Sequence, residues 1–278
     1  MSAEIRHRAA VLGSPIAHSL SPVLHRAAYR ELGLTDWHYD RFECDETGLA
    51  AFLEGLDDTW AGLSLTMPLK KAVLPLLDTV SPLAERVGGA NTVVLRDGRR
   101  HGDNTDVYGI VAALREAGVG APGSAVILGG GATAASAVAA LRELGLDKAV
   151  IWVREVARAG GVLAAAKRLG VAIEVRTLDR FDPDAELVIS TLPAGAADPL
   201  APRLAGVPAV LDVVYAPWPT ALARAVAARG GTVVGGLAML LHQAVRQVEL
   251  MTGRADVPVE AMRAAGEAEL ARRSAAES

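Results

Sequence analysis

The chain has 278 residues, more than one compact core usually holds, so its length favours two domains. Hydrophobic residues make up 51% of it, which is enough for a sizeable core and excludes a wholly disordered chain. Lys plus Arg number 28 and Asp plus Glu number 32, so the formal net charge is −4, and nothing in this balance indicates a nucleic-acid or anionic-membrane surface.

The cysteine count and the apolar runs exclude further classes. Cys44 is the only cysteine in the sequence, so neither an intrachain disulfide nor a Cys-rich metal site is predicted. The polar start of the chain does not look like a secretory signal, and the apolar runs are broken well short of the roughly 18 residues of a membrane helix. We therefore expect a cytoplasmic protein with no metal, no nucleic-acid partner and no membrane contact.

In the first part of the chain, short strand-like runs alternate with helical patterns. A helix is predicted from Ser21 to Leu32, ended by Gly33, and Asp97-Gly98 predicts the turn of a β-hairpin. The other predicted elements here are strands at 9–13, 37–44 and 61–66, hairpin strands within 92–101, and a helix at 106–117.

From residue 125 the alternation of strands and helices becomes regular. Six strands are predicted, at 125–128, 149–153, 171–177, 187–190, 209–214 and 232–234, with helices around 132–144, 157–169 and 219–229. Fully apolar strands separated by helices predict a parallel sheet covered on both faces. A long helix follows at 237–250, and a last one is predicted from Pro258. The loop at 118–123 and the pair Gly235-Gly236 are the candidate domain junctions.

Three polar signatures concentrate the groups that bind a small polyhydroxylated molecule. They are Gly62-Leu-Ser-Leu-Thr-Met-Pro-Leu-Lys70, Gly89-Ala-Asn-Thr92 and Gly102-Asp-Asn-Thr-Asp106-Val-Tyr-Gly109. Thr66, Asn91 and Thr92 supply hydroxyls and an amide, while Lys70 and Asp106 supply one ammonium and one carboxylate. Lys70 is the candidate for proton transfer with Asp106 as its partner, and a plain salt bridge between them is the alternative.

The start of the first predicted helix offers a second polar group, in His18-Ser-Leu-Ser-Pro22-Val-Leu-His25. The free N–H groups at the helix start and the hydroxyls of Ser19 and Ser21 could donate hydrogen bonds to a carboxylate. The alternative is that Ser21 only caps the helix, with Pro22 at the first helical position. His18 and His25 are interpreted as structural or surface residues.

A glycine-rich turn lies at 129–131, between a predicted strand and a predicted helix. It matches G-x-G-x-x-A, in which the first glycine allows the turn, the second admits a pyrophosphate and Ala134 lets the helix pack on the strand. The helix start would face the phosphates. Close-packed glycines are the alternative, but the strand-turn-helix context predicts a dinucleotide site. Its predicted residues are Gly129, Gly130, Gly131, Ala132 and Thr133.

The residues after the second strand of this half bear on the choice of nucleotide. Arginine there favours the 2′-phosphate of NADP, whereas an acidic residue favours the ribose hydroxyls of NAD. Arg154 and Arg158 therefore favour NADP, against the alternatives that both are solvated or that Glu155 selects NAD.

In chain order, Ser-Leu-Ser-Pro, Leu-Thr-Met-Pro-Leu-Lys, Gly-Ala-Asn-Thr and Asn-Thr-Asp precede the glycine turn. This order resembles the shikimate dehydrogenase family. The resemblance continues through Ser190-Thr191, Asp212-Val-Val-Tyr215-Ala-Pro-Trp-Pro-Thr220 and Gly236-Leu-Ala-Met239-Leu-Leu-His-Gln243, and covers about residues 9 to 250.

The resemblance implies an enzyme of aromatic amino acid and chorismate biosynthesis that reversibly reduces 3-dehydroshikimate to shikimate with NADPH. It implies an α/β fold with an N-terminal substrate domain (1–107 plus 238–278) and a doubly wound, Rossmann-type NADP domain (108–237). The C-terminal helices return to the first domain, and a homodimer is a candidate assembly.

The resemblance also assigns residues to the two ligands. Substrate contacts fall to Ser19, Ser21, Thr66, Lys70, Asn91, Asp106, Tyr215 and Gln243. Besides the glycine turn and the two arginines, cofactor contacts fall to Thr191, Val213, Gly236 and Met239. From the residues alone, a core side chain is the alternative interpretation of Tyr215 and the ordinary interpretation of Met239.

The chain departs from the family pattern at several positions. Ser64 stands where the family often has Asn, His25-Arg26 where it has His-Asn, and Val153-Arg154-Glu155 where Asn-Arg-Thr is common. The glycine turn is Gly-Gly-Gly-Ala-Thr instead of Gly-Ala-Gly-Gly-Ala. A quinate/shikimate or aminoshikimate dehydrogenase, using NAD or NADP, is therefore the alternative enzyme, and a non-catalytic metabolite sensor is the alternative of another class.

Overall fold

The computed structural model describes residues 5–277, which divide into two compact units. The first unit consists of residues 5–85, 89–105 and 241–277. The second consists of residues 86–88 and 106–240. Among the described residues, no helix combines the length and the apolar character needed to cross a membrane.

A six-stranded mixed sheet forms the first unit, in the order β2-β1-β3-β5-β6-β4. The strands are β1 (His7–Gly13), β2 (Trp37–Glu43), β3 (Trp60–Leu65), β4 (Thr79–Val80), β5 (Thr92–Arg96) and β6 (Arg99–Asp103). The helices in this part of the chain are α1 (Ser21–Glu31), α2 (Leu49–Glu54), α3 (Leu69–Ala72) and α4 (Pro82–Val87).

The pairing of these strands brings the polar signatures to one edge of the sheet. Strand β1 is parallel to β2 and β3, whereas β5 is antiparallel to both β3 and β6. The carboxyl ends of β1 and β3 therefore lie beside the amino end of β5, where Ser64 pairs with Thr92. On one face, Leu12, Leu63 and Val93 are fully buried among apolar side chains that include the rings of Trp60 and Phe42.

A six-stranded parallel sheet forms the second unit, in the order β12-β11-β10-β7-β8-β9. The strands are β7 (Ala125–Leu128), β8 (Lys148–Val153), β9 (Ala172–Thr177), β10 (Leu187–Ser190), β11 (Ala209–Asp212) and β12 (Thr232–Gly235). The helices are α5 (Thr105–Glu116), α6 (Ala132–Glu143), α7 (Gly160–Leu169), α8 (Ala201–Leu204) and α9 (Ala221–Ala227). This is the 3-2-1-4-5-6 strand order of the doubly wound dinucleotide-binding fold.

Burial in the second unit follows from this architecture. Strands β7, β10 and β11 are buried at every position, as expected for central parallel strands covered on both faces. Trp152 and Phe181 meet edge to face in the same core, with ring centroids 5.1 Å apart. The predicted parallel α/β sheet is confirmed.

Two helices end the chain, α10 (Gly236–Thr252) and α11 (Val259–Glu277). From Leu241 onward they belong to the first unit, so the predicted return of the C-terminal helices is confirmed. Helix α10 lies close to β3, because a Cβ added at Gly62 would be 2.7 Å from Met251 Cγ. Helix α11 packs against α1.

Several local predictions are corrected. Ser21 is not the N-cap of α1: the cap is Leu20, Ser21 is the first helical residue and Pro22 follows it. Helix α7 begins at Gly160 after a 3-10 turn at Val156–Ala159, and α9 begins at Ala221, capped by the Thr220 hydroxyl. His25 is fully buried, in agreement with its interpretation as a structural residue.

Candidate functional site

The strand ends of the first unit position three of the predicted substrate-binding residues. The Thr66 N–H donates to Leu12 O at 2.9 Å, which joins the chain after β3 to the end of β1. The Lys70 carbonyl accepts from Ala90 N–H at 2.8 Å, so the turn that carries Lys70 lies next to Asn91. Thr66, Lys70 and Asn91 therefore meet at one sheet edge.

Asn91 is the centre of a buried hydrogen-bond network at this edge, and it is 1% exposed. Its Oδ1 accepts from Thr105 N–H at 2.7 Å and from the Thr92 hydroxyl at 3.0 Å. Its Nδ2 donates to Thr105 Oγ1 at 3.0 Å and to Gln243 Oε1 at 3.3 Å. The structure thus brings together Asn91 and Gln243, which the motifs place 152 residues apart.

The same network contains residues that the sequence motifs did not single out as site residues. Tyr39 Oη donates to Ser64 Oγ at 2.6 Å, and Ser64 Oγ donates to Gln247 Oε1 at 2.8 Å. Gln247 Nε2 donates to Thr92 Oγ1 at 3.0 Å. Tyr39 lies on β2 and Gln247 on α10, so their meeting with β3 is a result of tertiary structure that no local pattern signals.

Burial keeps the ionisable side chains of this network neutral. Desolvation lowers the pKa of His25 to about 3, although its hydrogen bond with Gln247 acts in the opposite direction. Desolvation likewise raises the pKa of Tyr39 above its usual range, with the hydrogen bonds between Tyr39 and Ser64 and between Tyr39 and Ser21 opposing the shift. The two rings stack with centroids 3.9 Å apart. The network is therefore a set of uncharged donors and acceptors near neutral pH.

Ser19, which precedes α1, and Ser21, the first residue of α1, lie next to each other at the start of this helix. Ser19 Oγ accepts from Ser21 N–H at 3.3 Å, and the Ser21 side chain hydrogen-bonds with Tyr39. Ser21 is buried, whereas Ser19 is partly exposed. A carboxylate near Ser19 would find a hydroxyl and the start of α1 together.

In the second unit, the chain from β7 to α6 has the local geometry of a phosphate-binding turn. Gly129 has φ +113°, a conformation that L side chains rarely adopt. A Cβ at Gly130 would be 2.7 Å from Arg158 O, so only glycine fits. Gly131 is extended, and among the described residues no side chain caps the start of α6. Its first N–H groups can therefore donate to an anion, and Ala132 and Thr133 lie in that first turn.

Of the two arginines predicted to select NADP, Arg158 has its backbone against this turn, and Arg154 follows directly after β8. The contact between Gly130 and Arg158 O brings the backbone after β8 against the glycines. The side chains of Arg154 and Arg158 are both exposed. On the other side, Thr191 Oγ1 donates to Leu128 O at 2.8 Å and holds the end of β10 beside the turn.

A buried carboxylate organises the segment after β11. Asp212 is 1% exposed, and its desolvation raises the pKa of the carboxyl group while its hydrogen bonds oppose the shift. It accepts from Val214 N–H at 3.3 Å and from the Thr220 hydroxyl at 2.8 Å. The loop that carries Val213 and Tyr215 is thereby tied at both ends.

The remaining predicted residues of this unit lie at two helix starts. Gly236 N–H donates to Val214 O at 3.2 Å, so Val213 and the start of α10 are neighbours, and Met239 follows in the first turns of α10, 7% exposed. Asp106 is buried in the first turn of α5, where the helix dipole favours a negative charge.

Two models of known protein families match parts of this chain. The family model described as "Shikimate dehydrogenase substrate binding domain" matches residues 11–93, and "Shikimate 5'-dehydrogenase C-terminal domain" matches residues 236–265. A protein of Methylobacterium radiotolerans named shikimate dehydrogenase (NADP(+)) is 39% identical over 258 residues, covering 88% of this chain and 91% of its own length.

Solved structures of other proteins are similar to this fold over almost the whole chain. Shikimate dehydrogenase of Mycobacterium tuberculosis is 45% identical with a TM-score of 0.86, covering 94% of this chain and 99% of that one. The Thermus thermophilus enzyme, solved in complex with NADP(H) and shikimate, is 36% identical with a TM-score of 0.83, covering 94% and 98%. Because fold, motifs and relatives agree, this chain belongs to the shikimate dehydrogenase family.

Proposed function

We propose that this protein catalyses the reversible NADPH-dependent reduction of 3-dehydroshikimate to shikimate. The observation that carries the proposal is the network in which Asn91 and Gln243, far apart in sequence, present amides at the sheet edge where Lys70 lies. This is a set of donors and acceptors suited to ring hydroxyls, and it belongs to a chain whose relatives are NADP-dependent shikimate dehydrogenases.

Each predicted residue keeps its proposed role. Ser19 and Ser21 would bind the substrate carboxylate, and Tyr215 would lie beside the substrate. The ring hydroxyls would be held by Thr66, Lys70, Asn91, Asp106 and Gln243. The proposed substrate domain is 1–107 plus 238–278, and the proposed NADP domain is 108–237.

The second unit fits the cofactor. The glycine turn packs too closely on Arg158 O to carry a side chain at Gly130, while a Cβ at Gly131 would meet nothing within 4 Å, and the start of α6 offers donors to a pyrophosphate there. Arg154 and Arg158 would hold the 2′-phosphate. The proposed remaining contacts are Thr191, Val213, Gly236 and Met239. When bound, NADPH supplies the hydride for the carbonyl reduction.

Lys70 is the proposed proton donor of the reaction. As an ammonium it would bind the carbonyl oxygen, stabilise the negative charge that develops there during reduction and then donate a proton to it. Asp106 would accept a hydrogen bond from the hydroxyl group that this reduction forms, and would thereby orient the substrate ring. Further proposals are a cytoplasmic location and a homodimer, and light scattering on the purified protein tests the latter.

A specificity panel tests the proposed activity. We expect kcat/KM to be highest for shikimate with NADP, and to fall when quinate replaces shikimate or NAD replaces NADP. Replacing Arg154 with serine should lower kcat/KM with NADP about tenfold, a loss of about 1.4 kcal/mol, and leave the value with NAD unchanged. The exposed Arg142 on α6 provides the control, Arg142→Ser. A preference for quinate or NAD would contradict the proposal.

A further inference from the structure

A buried amide on α10 connects parts of the first unit that are distant in sequence. Gln247 is 1% exposed and lies one helical turn after Gln243. It contacts Ser64 on β3 and Thr92 on β5, at sequence separations of 183 and 155 residues. A buried glutamine is stable only when its donors and acceptors are matched, so its orientation must be determined by these partners.

A backbone carbonyl fixes the orientation of Gln247. Because a carbonyl can only accept, the Nε2 group must be the one that faces Asn91 O, at 3.3 Å. Oε1 then accepts from the Ser64 hydroxyl at 2.8 Å and faces His25 Nε2 at 3.3 Å. The neutral His25 ring therefore carries its proton on Nε2, and its Nδ1 has no partner among the described residues.

A backbone N–H fixes the orientation of Asn91 in the same way. Thr105 N–H can only donate, so Oδ1 of Asn91 must face it, at 2.7 Å. The Thr92 hydroxyl accepts from Gln247 Nε2 and donates its proton to the same Oδ1. The Asn91 NH2 group is thereby turned toward Gln243. A backbone group orients each of the two amides, and the Thr92 hydroxyl links Gln247 to Asn91.

The other end of the network reaches the serines of α1. Tyr39 donates a hydrogen bond to Ser64, and Ser64 donates one to Gln247. The Ser21 side chain also hydrogen-bonds with Tyr39. One continuous chain of neutral hydrogen bonds therefore joins Ser21 to Asn91. These are the residues proposed above for the carboxylate and for a ring hydroxyl.

We propose that Gln247 is a positioning residue for substrate binding, which acts through Thr92 to hold the Asn91 amide in the orientation that directs its NH2 group to Gln243, the other amide proposed to bind the ring hydroxyls. This inference rests on the proposed function. Gln247 itself would not contact the substrate. Its loss should therefore weaken the binding of substrate and transition state alike, which raises KM and leaves kcat nearly unchanged.

The first test is Gln247→Met, which keeps the side-chain volume and removes both hydrogen-bonding groups. We expect the KM for shikimate to rise about tenfold, kcat to change by less than about threefold and the KM for NADP to stay constant. Val248→Ala is the matched control, because Val248 is the next residue on α10, is fully buried and is apolar. If the two variants lower Tm similarly and leave the KM for shikimate equally unchanged, Gln247 is only structural and the proposal fails.

A second variant keeps the proposal testable should Gln247→Met fail to fold. Thr92→Val keeps the β-branched shape and removes the hydroxyl that links Gln247 to Asn91, so it should raise the KM for shikimate to a similar extent. The double variant should be no worse than the poorer single variant, because both break the same link. Additive effects, or an unchanged KM in Thr92→Val, would overturn the proposal.

A spectroscopic readout separates this inference from the proposed activity. In 15N-edited spectra, the Asn91 side-chain NH2 signals, assigned by their loss in Asn91→Asp, should shift in Gln247→Met and stay in place in Val248→Ala. If the wild-type protein does not act on shikimate with NADP, the proposed function fails and this signal alone decides the inference. An unshifted Asn91 signal in Gln247→Met would refute it.

Discussion

Ser64 lies between two partners whose positions are fixed by other elements. Its hydroxyl oxygen is 2.6 Å from Tyr39 Oη and 2.8 Å from Gln247 Oε1, so it accepts on one side and donates on the other. That proton is directed to Gln247 and not to a ligand. Ser64, which stands where the family often has asparagine, therefore joins Tyr39 on β2 to Gln247 on α10.

Lys70 is the residue whose replacement separates chemistry from binding. Lys70→Met keeps much of the aliphatic length and removes the ammonium that would protonate the developing alkoxide. We expect kcat to fall by about two to four orders of magnitude, because general acid catalysis and charge stabilisation are both lost. Calorimetric titration with shikimate should still show binding. Measuring kcat and the dissociation constant on the same preparation checks both.

The neighbouring lysine supplies the control for that experiment. Lys71 is on the same short helix, carries the same charge and is exposed. Lys71→Met should retain nearly full turnover, as expected for a solvated side chain. Full turnover by Lys70→Met, or an equal loss in Lys71→Met, would exclude Lys70 as the proton donor.

At this scale the sequence predicts side chains whose motif neighbours identify them, and misses those defined by distant contacts. Asn91 and Gln243 stand in recognisable motifs, and the structure brings them together. Tyr39 reads as one aromatic in an alternating strand, and Gln247 as one polar residue on a long helix. Their shared partner Ser64 becomes visible only when β2, β3 and α10 pack together.

The turn from β7 to α6 is the element on which nucleotide binding depends. It combines a left-handed glycine, a glycine without room for a side chain and an extended glycine before the helix. The first two requirements are steric and can be tested without altering any charge.

Gly130→Ala should specifically weaken the binding of NADP. The added methyl would lie 2.7 Å from Arg158 O, so the backbone after β8 must move away from the turn. We expect the dissociation constant for NADPH to rise about tenfold or more, while shikimate binding stays constant. Fluorescence titration of the bound reduced nucleotide measures the first, and calorimetry measures the second.

Gly160→Ala is the matched substitution for that experiment. A Cβ at Gly160, the first residue of α7, meets no heavy atom within 4 Å, and its backbone is helical. Alanine there should be neutral or slightly stabilising and should leave NADP binding unchanged. Normal nucleotide affinity in Gly130→Ala would show that the turn does not bind the cofactor.

Elements with a strong periodic pattern are the ones that the sequence predicts well. The strand at 125–128 and the hairpin turn at Asp97-Gly98 are found as predicted, the latter with φ of 55° and 69°. The short helices α2, α3 and α4 were missed, since four to six residues carry too little periodicity to be recognised. Ser21 has the residue type of an N-cap, but the helix begins one residue earlier in register, after Leu20.

At the scale of the whole molecule, a neutral buried histidine links stability to pH. His25 has a pKa of about 3 in the folded protein and about 6.5 in the unfolded chain. Between these values only the unfolded chain takes up the proton, so folding is favoured above pH 6.5 and loses stability as the pH falls toward 3. Above pH 6.5, His25 is neutral in both the folded and the unfolded chain, so its effect on the free energy of unfolding no longer changes with pH.

The pH dependence of unfolding measures this effect. Urea denaturation of the wild type should lose about 1.4 kcal/mol per pH unit below about pH 6 from His25 alone. The variant His25→Phe keeps an aromatic ring for stacking on Tyr39 and lacks the titrating group, so its stability should fall less steeply. Parallel curves for the two proteins between pH 6 and 4 would contradict the assignment of a neutral His25.

The central claim is the reaction itself, and one measurement addresses it directly. Purified protein is mixed with 3-dehydroshikimate and NADPH, the decay of the reduced-nicotinamide absorbance is followed, and shikimate is quantified in the same sample by chromatography. The account predicts that NADPH is consumed and shikimate appears in equal amounts, and that NADH in place of NADPH supports a much slower reaction. Stable absorbance with no shikimate formed would contradict it.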